Sequence, residues 1–198
     1  MPLTTGKFII PDGAPSGGEQ PTASSTYGTA DLARVVSGVG WANYADSVYT
    51  SGSPLQLDSG NSYTAQITID GLATGSTTAQ WPTGVTEVWN TSTNKLVGIN
   101  EGDMFDYRLS FLAKDGASSA LIDITINIGG TIGDISRRSV GVSKGASVET
   151  AVEVSSEFFT GSTFLANGGT INVSTANSST DMDIWDIKFL VYRKYVGL

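Results

Sequence analysis

Residues 181–198, DMDIWDIKFLVYRKYVGL, hold three aspartates, Asp181, Asp183 and Asp186, within six residues, and an aromatic-rich run follows at once. Either the acids gather around an ion or a reacting bond, or the stretch is a strand that carries them incidentally. Strand geometry separates the two readings, because side chains alternate sides along a strand. A strand over 183–193 puts Trp185, Ile187, Phe189 and Val191 on one face and Asp186, Lys188, Leu190 and Tyr192 on the other. Asp181 and Asp183 continue the Trp185 face, opposite Asp186, so the three carboxylates do not converge. A calcium loop would also need irregular backbone, a bend-forming glycine and further oxygen ligands. Asp181 and Asp183 with a neighbouring loop stay open as an ion site, against strand-entry solvation. Asp186, two residues from Lys188, suits a surface ion pair. The stretch reads as the closing strand of a sheet. Its outward Leu190 and Tyr192 are more apolar than a solvent face needs, which makes it a candidate subunit contact.

The same alternation runs through most of the chain. Tyr63, Ala65, Ile67 and Ile69 share a face in NSYTAQITIDG. So do Phe105, Tyr107, Leu109 and Phe111 in DMFDYRLSFLAK, with Asp106, Arg108 and Ser110 opposite. Ile122, Ile124, Ile126 and Ile128 oppose Asp123, Thr125 and Asn127. Val148, Val152 and Val154 align, as do Ile171 and Val173. These are half-buried strands. VTEVWNTSTNKLVGI reads as a hairpin around NTSTN, and the connections DGASSA, IGGTIGD, SKGAS and ANGG are turn-rich. About eight or nine strands with short turns and no long helix predict an antiparallel sandwich or barrel. No fixed-period repeat points to a propeller or β-helix.

Residues 1–28 differ. PDGAPSGGEQPTASSTYG is rich in Pro, Gly, Ser and Thr without a hydrophobic period, the composition of an arm or linker. Its one apolar patch is Phe8, Ile9 and Ile10. An arm of this kind orders only when something holds it, and the patch suits strand addition to a neighbouring chain or filling of its groove. Residues 29–198 form the sandwich domain, opening with a short helix in TADLARVVSGVG that Thr29 caps and Gly38 ends.

Composition narrows the chemistry. The chain of 198 residues has no cysteine and no histidine. A disulfide framework, Cys/His zinc sites and Ser-His-Asp or Cys-His catalysis are thereby excluded. The net charge of −8 disfavours nucleic acid, whose phosphates demand a basic face. Arg137-Arg138 is too small for one and reads as a loop partner for acids. No run approaches membrane-spanning length, and MPLTTGKFIIPDGAPSGG lacks a signal-peptide core. The expectation is a soluble protein made in a cytoplasm, and the glycosylation-like triplets at Asn90, Asn172 and Asn177 are chance matches. Only 15% of residues are charged, with Ser and Thr in their place, so the surface is polar but cheap to desolvate.

No pair of carboxylates declares an enzyme. In EGDMFD, Asp103 and Asp106 fall on opposite faces, and the acids read as solvated turn residues. A glycosidase would need two carboxylates flanking one bond. The tryptophans Trp41, Trp81, Trp89 and Trp185 invite sugar stacking but suit core or interface packing better. Trp81, before Pro82 in a Gly/Thr-rich stretch, is the loop aromatic that an exposed sugar site would use. GVG and IGGTIG lack a lysine and a following helix, so they are turns and not phosphate cradles.

The stretches WPTGVTEVWNTSTNKLVGINEGDMFDYRLSFLAK, LIDITINIGG, FFTGSTFLANGGTINV and IWDIKFLVYRKY resemble trimeric jelly rolls of bacteriophage virions: capsid decoration (cement) proteins, head-fibre proteins and related tail-fibre domains. Their order is similar to the second half of a tumour-necrosis-factor or C1q-like jelly roll, over about residues 40–198. The resemblance implies an all-β antiparallel jelly-roll sandwich with an extended N-terminal arm. It implies a non-enzymatic virion protein without cofactor or metal, assembled in the host cytoplasm. A homotrimer would bind the major capsid protein through arms anchored at Phe8, Ile9 and Ile10, with Leu190, Tyr192 and Tyr195 at the trimer seam. The alternative is a receptor- or carbohydrate-binding module of a tail or head fibre, in which Trp81 meets a host surface glycan. The chain departs from tail fibres in lacking a long fibrous stem.

Overall fold

The computed structural model describes residues 40–57, 67–70, 72–80, 87–115, 120–143, 148–175 and 182–195, with 72–80 and residues 115, 120 and 195 described as backbone. The strands are β1 (Gly40–Asp46), β2 (Leu55–Gln56), β3 (Ile67–Thr68), β4 (Leu72–Gln80), β5 (Trp89–Asn90), β6 (Lys95–Leu96), β7 (Met104–Asp115), β8 (Ala120–Asn127), β9 (Asp134–Val142), β10 (Glu149–Phe159), β11 (Thr170–Thr175) and β12 (Met182–Tyr195). One short helix, α1 (Ser162–Asn167), joins β10 to β11.

The larger sheet runs β10-β7-β12-β1-β4, with β2 also on β12, and the smaller runs β3-β11-β8-β9. Four antiparallel pairs are nested along the chain: β1 with β12, β3 with β11, β7 with β10 and β8 with β9. The outermost pair belongs to the larger sheet, the next to the smaller, and so on inward. That alternation is a long hairpin rolled over on itself, which is a jelly roll. The expected hairpin is β5–β6, with Trp89 opposite Leu96.

Alternation fills the space between the sheets. Phe105, Tyr107, Leu109 and Phe111 of β7, Ile122, Ile124 and Ile126 of β8, Val152, Val154 and Phe158 of β10, and Ile171 and Val173 of β11 are all buried in one core. Phe105, Phe158 and Phe164 stack in series at centroid distances of 5.1 and 5.4 Å, and Phe189 meets Tyr44, Trp89 and Tyr107. Val148, read as in line with Val152, precedes β10 and is exposed. Arg137 and Arg138, read as a loop, lie on β9 at the edge of the smaller sheet. Charges on an edge strand discourage pairing with foreign strands, and they also hid the period-two signal.

The closing strand departs from strict alternation. Asp186 has φ 53°, and the β7–β12 register slips between Trp185 and Lys188. Two residues of β12, Asp186 and Ile187, face one of β7, Phe111, which is a β-bulge. Aspartate tolerates this left-handed conformation better than most residues. The bulge reconciles two apolar phases: Met182 and Ile184 before it, and Ile187, Phe189 and Val191 after it, are all buried in the core. The single face expected to run from Trp185 to Val191 is therefore corrected. Trp185 pairs with Leu112 on the outer side, where it is nonetheless buried. Asp183 and Asp186 both lie on that outer side instead of opposite each other.

A second correction concerns Asp103, read as a solvated turn acid. It is completely buried, in phase with Phe105, and accepts a hydrogen bond of 2.6 Å from Arg193 Nη2, itself only 3% exposed. Asn100 N donates to its other oxygen at 2.9 Å, while Thr160 N and Asp103 O close a backbone bond of 2.9 Å. The ion pair ties the end of β12 to the turn before β7 and to the segment after β10. Breaking one member of a buried pair leaves an uncompensated charge, whereas replacing both by apolar groups is often neutral. Asp103→Ala is expected to lower unfolding stability by about 3–5 kcal/mol in urea titrations, and Asp103→Leu with Arg193→Met to recover most of it. A loss below ~1 kcal/mol for Asp103→Ala, the scale of an exposed pair, would contradict this role.

Candidate functional site

The outer face of the larger sheet is set by the same register that fills the core. With Ala42, Tyr44, Phe105, Tyr107, Leu109, Phe158, Phe189 and Val191 turned inward, their neighbours point out. Across β1, β12, β7 and β10 the paired residues form rows. One row is Trp41, Tyr192, Asp106 and Glu157; the next is Asn43, Leu190, Arg108 and Ser155. Trp41 and Tyr192, direct cross-strand partners, are 37% and 44% exposed. Leu190 is half-buried beside them.

The polar half of this face is tied together. Tyr192 Oη donates to Asp106 Oδ2 at 2.5 Å. Lys194 Nζ lies 3.1 Å from Glu157 Oε1 and 3.5 Å from Asp106 Oδ2, so one ammonium bridges two carboxylates. Arg108 Nε stands 3.9 Å from Glu153 Oε2, and Arg138 Nη2 reaches Ser156 Oγ at 3.4 Å from the adjoining edge of the smaller sheet. Tyr192, Asp106, Glu157, Arg108, Arg138 and Leu190 line an open groove of about 680 Å³, within the roughly 300–1,000 Å³ typical of small-molecule sites.

The hydrogen bond to Asp106, with desolvation and the carboxylate charge, raises the Tyr192 phenol above its ordinary value. The hydrogen bond to Glu157, then the charges of Asp106 and Glu157, raises the Lys194 ammonium. Both shifts favour the protonated forms, so Tyr192 Oη and Lys194 Nζ act there as hydrogen-bond donors to Asp106 and Glu157. The arrangement is suited to stacking, hydrogen bonding and packing.

Of the residues singled out in the sequence, Leu190 and Tyr192 come together on this face. Tyr195 pairs with Met104 at its end by backbone. Phe8, Ile9, Ile10 and Trp81 lie outside the described residues, as do the whole arm 1–28, the helix expected between Thr29 and Gly38, and Asp181. Asp183 accepts from Gln56 Nε2 at 3.4 Å, and Asp186 pairs with Lys188 at 2.9 Å as expected. Among the described residues no three acidic, histidine or cysteine side chains gather as a metal site. Trp41, Asp106 and Lys194 were missed as site residues. The signal for Trp41 is the alternation of Gly40–Asp46 with Tyr44 inside, and Asp106 and Lys194 fall on the outward phase of β7 and β12, but pairing partners are invisible in one chain's sequence. On the smaller sheet, Arg137 instead serves Asp123 at 2.5 Å. A hydrogen bond from Ser139, together with Arg137, holds the Asp123 carboxyl below its usual range despite partial burial.

No family model matches the chain, and no curated protein sequence does. Similar solved structures include Eiger TNF from S. frugiperda, with 10% identity, 81% of this chain and 94% of that one covered, and a TM-score of 0.47. The PRD1 vertex protein P5 has 12% identity, 79% and 97% coverage and a TM-score of 0.41. A CBM4 structure has 14% identity, 80% and 92% coverage and a TM-score of 0.34. Overlaps of this extent leave the jelly roll resting on its strand pairing and the site on its side chains.

Asp106→Asn is expected to move the Tyr192 titration downward toward the ordinary tyrosine range, followed by NMR of ring-labelled tyrosine with Tyr192→Phe as the assignment control. An unchanged midpoint would show that Asp106 is not the partner that raises it.

Proposed function

We propose that the chain is a structural virion protein, a capsid decoration protein that binds the outer shell through its N-terminal arm and associates with its own copies through the outer face of the larger sheet. One observation carries this reading. Gly40, the first residue of β1, is the register partner of Arg193 near the end of β12. Residues 1–39 therefore join the sandwich at one end, while the Trp41–Tyr192 pair sits on its flank. An anchor at the end and a contact face on the side permit a ring of copies with all arms turned toward one surface. Several weak arms on one oligomer bind together far more tightly than each alone. The flank suits self-association because Asp106 and Glu157 in its groove are balanced by Arg108 and Arg138, in a chain whose net charge of −8 otherwise repels copies. Leu190, Tyr192 and Tyr195 belong to this seam, Trp41 joins them, and a homotrimer is the proposed ring.

The same groove favours a second reading, a module for host surface glycans. Exposed aromatics beside fixed donors and acceptors are what a sugar ring needs.

Two measurements separate the readings. Removal of residues 1–28 is expected to leave a folded oligomer that no longer binds shells stripped of this protein; full binding by the truncated chain would refute the arm's role. Trp41→Ser with Tyr192→Ser is expected to dissociate the oligomer in sedimentation experiments. An intact oligomer that instead loses binding on an array of cell-surface polysaccharides would establish the second reading.

A further inference from the structure

We infer that the groove on the flank takes an acidic glycan, whose carboxylate or sulfate oxygens seat on Arg108 and Arg138 while a neighbouring sugar ring lies against Trp41 and Tyr192. The inference rests on the second reading above and adds to it the class of glycan.

The four arginines among the described residues divide into two kinds. Arg137 is held by Asp123 at 2.5 Å and Arg193 by Asp103 at 2.6 Å. Arg108 and Arg138 both line the groove, and among the described residues neither has a carboxylate within hydrogen-bond distance. Arg108 Nε stands 3.9 Å from Glu153 Oε2, in a pair whose two side chains are exposed, and Arg138 Nη2 reaches a neutral group, Ser156 Oγ, at 3.4 Å.

The position of Arg138 is not explained by packing. It lies opposite Ile124 in the β8–β9 register, on the phase that faces the core. An apolar residue there would extend the core. A charged one instead stands exposed where β9 and β10, the edge strands of the two sheets, come together, and its guanidinium meets β10 at Ser156. Polar groups continue along this junction, with Tyr107 Oη 3.3 Å from Ser136 Oγ.

The acids of the groove do not compete for these two cations. Asp106 is engaged by Tyr192 and Lys194, and Glu157 by Lys194. A solvated pair at 3.9 Å contributes little, so Arg108 gives it up at small cost. An arginine fork matches two oxygens of a carboxylate or sulfate and binds them more strongly than a neutral group. The strand order suits a chain of sugars. From β1 through β12 and β7 to β10 there are three strand spacings, about 14 Å. Trp41 and Tyr192 stand at one end of this span, where a ring can stack. Arg108, Ser155 and Arg138 stand toward the other.

The test uses the full-length chain on an array of cell-surface polysaccharides divided into carboxylated, sulfated and neutral members. The charged members are expected to bind in preference to the neutral ones. Arg108→Gln with Arg138→Gln is expected to bind them at least about tenfold more weakly, with unchanged unfolding midpoint and oligomer mass. Lys95→Gln with Arg137→Gln, which removes two charges outside the groove, is expected to bind normally. Carboxyl reduction or desulfation of a bound polysaccharide is expected to weaken its binding to the unaltered chain alike, and whichever treatment does so identifies the anion. Neutral members bound as tightly as charged ones, or binding untouched by the groove substitutions, would overturn the inference while leaving the second reading intact. Absence of binding to every member would overturn the second reading and this inference with it. A changed oligomer mass in the groove variant would assign Arg108 and Arg138 to the seam between copies, and would also overturn the inference.

Discussion

The placement of β12 between β7 and β1 is the constraint on which the rest of the molecule depends. Among the described residues it is the last strand and pairs with the first, so the jelly roll closes only when it arrives in register. Its bulge at Asp186 decides that register. Without the extra residue, Ile184 and Ile187 could not both point inward, because a one-residue slip turns every later side chain to the opposite face. With it, Phe189 reaches Tyr44, Trp89 and Tyr107, and Arg193 reaches Asp103. The outer face follows from the same choice, since Leu190, Tyr192 and Lys194 point outward because Phe189, Val191 and Arg193 point inward.

The buried ion pair and the exposed network show how context decides what a charge does. Asp103 and Arg193 are hidden from water and have each other, so their loss is expected to be costly. Glu157 and Lys194 stand in solvent and Asp106 is half-buried beside them, and ion pairs at such a surface contribute little to stability. Their effect is to hold orientation: Tyr192 is fixed by its carboxylate, and a fixed aromatic gives more contact per unit of lost entropy than a free one. A surface that is neutral within its groove, partly apolar and already ordered is suited to contact with another macromolecule.

Much of the fold was legible in the residues. Alternation in β7, β8, β10 and β11 identified strands and their inward faces, and the turn-rich connections implied antiparallel pairing. The pairing order was not readable, because hydrogen bonds between β1 and β12 join residues far apart in sequence and leave no local mark. The bulge did leave one, in the three-residue step from Ile184 to Ile187, but strict period two passed over it. Asp103 looked solvated because Asp beside Gly normally is; only the arrival of Arg193 from the other end of the domain buries it. β9 escaped notice because Arg137 and Arg138 break its apolar rhythm at an edge where little is buried. The candidate site was half visible, as outward apolar residues on the last strand, while Trp41 gained meaning only as the cross-strand neighbour of Tyr192.

The central claim is that this jelly roll functions by assembly through its flank. The mass of the full-length chain in solution at micromolar concentration tests it most directly. With 20.6 kDa per chain, a ring of three gives 3 × 20.6 = 61.8 kDa, which is the value this account predicts. A single species at 20.6 kDa, unchanged on tenfold concentration, would contradict it.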